Sequence, residues 1–156
     1  MVLAAGGGNL SAFGRLLLQS IRDLGDDLPE STQLLEGVRA VLTQEQLGDD
    51  HLVAFAVDIV RSSLTGAQRS AVGDRGQADA ILRWGEADHL DEMAAVSCPY
   101  LVLASELDDR FPLPNLRALA ARSPLGRIDV LPGVPHVFAA QVGRVERLTV
   151  EFFRST

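Results

Sequence analysis

Four consecutive apolar residues, Leu101-Val102-Leu103-Ala104, stand between Pro99 and the acidic stretch Glu106-Leu107-Asp108-Asp109. A strand with no polar face is stable only where both faces are covered, so this run calls for a parallel sheet with helices on either side. The following residues complete such a unit. Leu113 to Ala121 has the length and apolar spacing of a crossover helix, and Ile128 to Leu131 reads as the next strand. Together they predict a βαβ unit, right-handed by default.

Both strands run into turns that carry ionisable side chains. The first turn is Ser105-Glu106-Leu107-Asp108-Asp109-Arg110-Phe111-Pro112 and the second is Pro132-Gly133-Val134-Pro135-His136. Neighbouring parallel strands end on the same edge of a sheet, so an acid after one and an imidazole after the next can meet. That is the arrangement in which a carboxylate orients a general base. Asp108 is the candidate acid, with Asp109 the alternative if the turn shifts by one residue, and His136 is the candidate base. An aspartate before a helix is more commonly a turn former or cap, and a histidine opening the last helix is otherwise unremarkable. The Pro-Gly-Val-Pro-His sequence is harder to derive from packing alone.

On these residues Pro99 to Phe153 resembles the C-terminal end of an α/β-hydrolase. In that family the last two core strands read as proline, apolar strand, Gly-Glu-x-Asp turn with a proline four residues on, second strand, Pro-Gly turn and catalytic histidine. Ser105-Glu106-Leu107-Asp108 with Pro112 matches the first turn, with Ser in place of Gly, and Leu131-Pro132-Gly133-Val134-Pro135-His136 matches the second. The resemblance implies a Ser-His-Asp mechanism with Asp108 and His136 as acid and base, a small ester, thioester or related acyl substrate, and no cofactor. It also implies a partial fold: a three-stranded parallel slab with flanking helices and a helical cap. Residues 1–9 would form a core strand and loop, 10–95 the cap region, and 96–156 the C-terminal core with the acid and histidine loops.

The family's nucleophile sits in a G-x-S-x-G turn that precedes acid and histidine in chain order, and the 156 residues contain no such pentapeptide. Around Ser11 the flanking glycines, Gly8 and Gly14, each stand one residue too far out, and Ser11 reads instead as a helix N-cap. The chain is therefore read as a C-terminal half, inactive alone. A noncatalytic binding or interaction protein, or a gene fragment without a role of its own, are the alternatives. Val2 and Leu3 would then border an unpaired strand edge at Met1 to Ala5, open to self-association or to a partner chain.

Composition bounds the partners. A net charge of −7 argues against a nucleic-acid backbone or an anionic membrane, and no apolar run approaches the ~18 residues of a membrane span, so a cytoplasmic location is the default. All fourteen basic residues are Arg, which suggests a GC-rich bacterial coding sequence. The single Cys98 excludes an intrachain disulfide and reads as a buried small hydrophobe. His51 and His89 lack ligand-spaced partners for a metal, and the acidic residues beside them fit helix starts better. Gly6-x-Gly8-x-x-Ser11 is a near miss for a dinucleotide fingerprint, which the proline and helix after Asp26 and Asp27 argue against.

The remaining chain reads as helices over Ser11 to Leu24, Pro29 to Leu42, His51 to Leu64 and Gln77 to Trp84, with a capping box at Thr43-Gln44-Glu45-Gln46. Gly66 to Gly76 reads as a polar, mobile loop, and Val137 to Phe153 as a closing helix. Its apolar residues Val137, Phe138, Val142, Val145, Leu148, Val150, Phe152 and Phe153 would face the sheet. Leu52, Val53, Phe55, Ala56, Ile59 and Val60 would serve packing or line an acyl pocket.

Overall fold

A computed structural model describes residues 1–4, 6, 9–65, 70–87, 90–138 and 141–156. Three strands, β1 (Val2–Ala4), β2 (Tyr100–Ser105) and β3 (Gly126–Leu131), form one parallel sheet in the order β1-β2-β3. The apolar run lies in the central strand, and every residue of β2 is buried. Tyr100, Val102 and Ala104 meet Leu116, Leu119 and Ala120 of helix α6 (Leu113–Ala120) on one face. Leu101 and Leu103 meet Phe152 of helix α7 (Val142–Ser155) on the other. The alternation of side chains along a strand thus sends both halves of the run into separate apolar layers.

Between β1 and β2 lie the cap helices α1 (Ala12–Leu24), α2 (Glu30–Val41), α3 (Asp50–Leu64) and α4 (Ala71–Trp84), then the short α5 (Leu90–Ala94). Helices α2 and α3 close on Val38, Ala56 and Val60, a small core of their own. Thr43 and Gln46 make the reciprocal capping-box bonds, backbone to side chain in both directions, at 2.9 and 3.2 Å. A 3₁₀ turn at Gln46–Gly48 follows, as the sequence pattern predicts.

Several expectations need correction. Helix α4 begins six residues before Gln77, because the Ser70 hydroxyl caps it by accepting from Gly73 N–H at 3.1 Å. Packing against α1 outweighs the weak propensity of Gly73 and Gly76. Of the segment expected to be a mobile loop, 71–76 is therefore helical, and 66–69 lie outside the described residues. Helix α5, five residues long, is too short to leave a periodic signal, yet Leu90 and Met93 pack against the α6 layer.

The closing helix starts at Val142, not Val137, and Val137 N–H instead donates to the carbonyl of Ala40 at 2.9 Å. His136 accordingly lies on a loop and does not open that helix. Its sheet-facing stripe is Val145, Leu148 and Phe152, with Phe138 beside it, whereas Val142, Val150 and Phe153 are exposed. Cys98 is exposed, since the buried strand begins only after Pro99. Ala5, Gly7, Gly8, Asp88 and His89 lie outside the described residues, so the end of the Met1–Ala5 strand, the glycine near miss and the acidic setting of His89 do too.

Leu116 is fully buried against β2. Leu116→Ala is expected to lower stability by about 2–5 kcal/mol, the range for a cavity left in a packed core, measured by urea denaturation. A loss well under that range would show that α6 does not cover the central strand.

Candidate functional site

The two turns are joined before any ionisable side chain is considered. Beyond the paired residues Ser105 and Leu131, Glu106 N–H donates to the Leu131 carbonyl at 3.1 Å and Leu107 N–H to the Val134 carbonyl at 2.9 Å. The Glu106 carboxylate accepts from Gly133 N–H at 2.8 Å. Gly133 itself has φ +65°, a left-handed conformation that glycine adopts without steric penalty. The ladder between β2 and β3 therefore extends into the loops and sets the spacing of the residues they carry.

Asp108 and His136 meet at that spacing. Asp108 Oδ1 accepts from the backbone N–H groups of Arg110 at 2.8 Å and Phe111 at 3.0 Å, closing a tight turn ahead of α6. Its Oδ2 lies 2.9 Å from His136 Nδ1. The turn-forming role and the contact with the imidazole thus belong to the same carboxylate, one oxygen for each. An ionised carboxylate only accepts, so Nδ1 carries a ring proton, and in the neutral imidazole the Nε2 lone pair is left unprotonated. The Phe111 ring stacks on the imidazole, with centroids 6.0 Å apart and planes 21° from parallel.

Burial pushes the Asp108 carboxyl upward. The bonds from His136, Phe111 and Arg110, with the charge of the imidazolium, outweigh it and hold the group below its ordinary value. Asp109, the alternative acid, is turned to the cap: its Oδ2 is 3.1 Å from Arg39 Nε on α2.

The other candidates are placed elsewhere. Ser11 caps α1, accepting from Gly14 N–H at 2.8 Å while its hydroxyl donates to the Asp109 carbonyl. Ser105 is fully buried and its hydroxyl has no hydrogen-bond partner among the described residues, His136 included. Asp49 caps α3 by accepting from His51 and Leu52 N–H at 2.9 and 3.2 Å, which confirms a helix start there. Among the described residues no group of three or more His, Cys, Asp or Glu could hold a metal ion, and no helix is long and apolar enough to cross a membrane.

A cavity of about 260 Å³ opens onto the imidazole. Leu10, Leu17, Ile21, Ile81 and Phe111 give it an apolar wall, and Arg110 and Asp74 bring charge to its lining. The residues of α3 named above do not reach it. Ala56 and Val60 are buried against Val38, Val53 and Ile59 do not line it, and Leu52, Phe55 and Ile59 are exposed. The apolar stripe of α1 is the sequence signal for this pocket, but periodicity alone cannot separate a packing face from a cavity wall.

No protein-family model matches the sequence, and no curated protein matches it. Solved structures do. A protein assigned as a non-heme bromoperoxidase from Mycobacterium tuberculosis H37Rv superposes with TM-score 0.81 at 23% identity over 99% of this chain. A thermophilic esterase from Thermogutta terrifontis gives 0.67 at 21% over 99%. An α/β-hydrolase from a Medee basin deep-sea metagenome library gives 0.63 at 15% over 100%. The chain spans only 57%, 55% and 56% of those three proteins. At such identities the likeness establishes the fold: the chain adopts part of the α/β-hydrolase fold, as a three-stranded parallel slab with flanking helices and a helical cap.

The lowered carboxyl of Asp108 has a defined pH signature. A group whose folded value lies below its unfolded one stabilises the fold fully above the unfolded value, here about 3.8, and loses that contribution as pH falls through the folded value. The stability difference between the parent and Asp108→Asn should therefore shrink as pH falls below that point, measured by denaturation across an acid pH series. A difference that grows on acidification would contradict the assignment.

Proposed function

We propose that this chain supplies the acid–base half of a hydrolase site, with His136 as general base and Asp108 as the residue that orients it, acting on a small ester, thioester or related acyl substrate. The observation that carries the reading is the bond between His136 Nδ1 and buried Asp108 at the end of two adjacent parallel strands. In the reaction a serine hydroxyl would attack the acyl carbon while His136 Nε2 took its proton and returned it to the leaving group. Asp108 would hold the tautomer and stabilise the imidazolium. The cavity at His136 is smaller than the ~300–1,000 Å³ of pockets for drug-sized ligands and largely apolar, which suits a short acyl or aryl group. The T. terrifontis esterase, which shares the fold, is consistent with that substrate class.

The serine would come from residues not among these 156, either an upstream stretch or a separate polypeptide. β1 pairs with β2 on one side, and among the described residues no strand covers its other edge. That edge is where further strands of the sheet would add.

Two measurements test the reading. On a short activated ester, the purified 156-residue chain should show no turnover above a His136→Ala control, because acid and base without nucleophile or oxyanion donors have no acyl group to act on. Turnover abolished by His136→Ala would refute the absence of a nucleophile. Second, light scattering after size-exclusion chromatography should show concentration-dependent association through the β1 edge. A monomer of 16.7 kDa at all concentrations would show that the edge is closed and the fold self-sufficient.

A further inference from the structure

We infer that the last turn of α2 is a positioning element for the dyad, holding the acid turn through Arg39 and the histidine turn through Ala40. The inference rests on the reading of Asp108 and His136 as acid and base. Two consecutive residues reach the two different loops. Arg39 Nε meets Asp109 Oδ2 at 3.1 Å, and the Ala40 carbonyl accepts from Val137 N–H at 2.9 Å. The second contact has a local cause. The final carbonyls of a helix have no partner four residues on, and the Ala40 carbonyl, in the last turn of α2, finds its partner in the residue after His136.

The guanidinium of Arg39 is itself fixed, 4.8 Å above the ring of Phe13 on α1. Helix α1 adds a second hold on the acid turn. Ser11 donates its hydroxyl to the Asp109 carbonyl and its backbone N–H to the Arg110 carbonyl, the latter at 2.8 Å. A Cβ on Gly14 would stand 3.0 Å from that same carbonyl, so a side chain there would push the acid turn and α1 apart by a few tenths of an ångström. Cap helices that would otherwise serve only to enclose substrate thereby fix Asp109 away from the imidazole and leave Asp108 as its partner.

The charged groups around the imidazole are few. Asp108 contacts it; Asp109 is paired with Arg39; Arg110 and Glu36 stand 3.9 Å apart; Asp74 lines the same cavity from α4. The Arg39–Asp109 pair is 54% and 36% exposed, so it adds little to global stability. Its effect must be read at the imidazole.

The test is the tautomer ratio of His136 from long-range ¹H–¹⁵N correlation at alkaline pH, where the ring is neutral. The parent chain should favour the Nδ1-protonated form about tenfold or more, the scale of a hydrogen bond to a charged acceptor. Arg39→Gln should cut that excess about threefold, the scale of an exposed ion pair. Asp109→Asn, which removes the pair from the other end, should do the same, and Arg39→Lys should recover part of it. Arg61→Gln removes an ion pair of equal 3.1 Å length between α3 and Glu30 and should leave the ratio unchanged. Parent-like ratios in both Arg39→Gln and Asp109→Asn would overturn the positioning role. Asp108→Asn separates this from the underlying reading: if it too leaves the ratio unchanged, the dyad itself is wrong.

Discussion

A buried carboxylate must find partners or lose its charge, and the loops of this protein are arranged around that requirement at Asp108. Its two oxygens accept three bonds, from Arg110 N–H, Phe111 N–H and His136 Nδ1. The first two fix the turn that launches α6, so the same group that shapes the chain also fixes the imidazole. The lowered carboxyl is the thermodynamic expression of those bonds prevailing over burial. Loss of any one of them would be felt in both the turn and the dyad.

The distance between acid and histidine is set by the sheet. The register that pairs Ser105 with Leu131 continues through Glu106, Leu107, Gly133 and Val134 into the loops. That register is held in turn by β2, buried on both faces between α6 and α7. The cap then acts from above, through Ser11, Arg39 and Ala40. The apolar cavity between α1, α4 and the imidazole puts a binding space beside the only histidine in contact with a carboxylate among the described residues.

What could be read from the sequence follows from the range of each interaction. The run at Leu101 to Ala104, the turn residues at Asp108 and Gly133 and the capping residues Ser11, Thr43 and Asp49 act locally, and their signatures survive in one dimension. The turn pattern puts Asp108 first and leaves Asp109 as the alternative, whereas the partner that holds Asp109, Arg39, is about seventy residues away in the chain and leaves no local signal. The start of α7 is not legible for a related reason: Val137 has ordinary helical spacing, and its bond to the distant Ala40 carbonyl leaves no trace in the sequence. Helix α4 hid behind Gly73 and Gly76, whose weak propensity is overridden by packing on α1. Cys98 reads as a buried small hydrophobe from its closeness to the apolar strand, but it stands outside that strand, before Pro99, and is exposed.

The central claim is that these residues alone assemble a hydrogen-bonded acid–histidine pair, whatever supplies the nucleophile. The most direct check is a proton NMR spectrum of the isolated chain at low temperature, searched for the downfield Nδ1–H resonance of an imidazole bonded to a carboxylate. The account predicts that resonance in the parent chain and its loss in Asp108→Asn. Its absence from the parent, or its persistence unchanged in Asp108→Asn, would contradict the account.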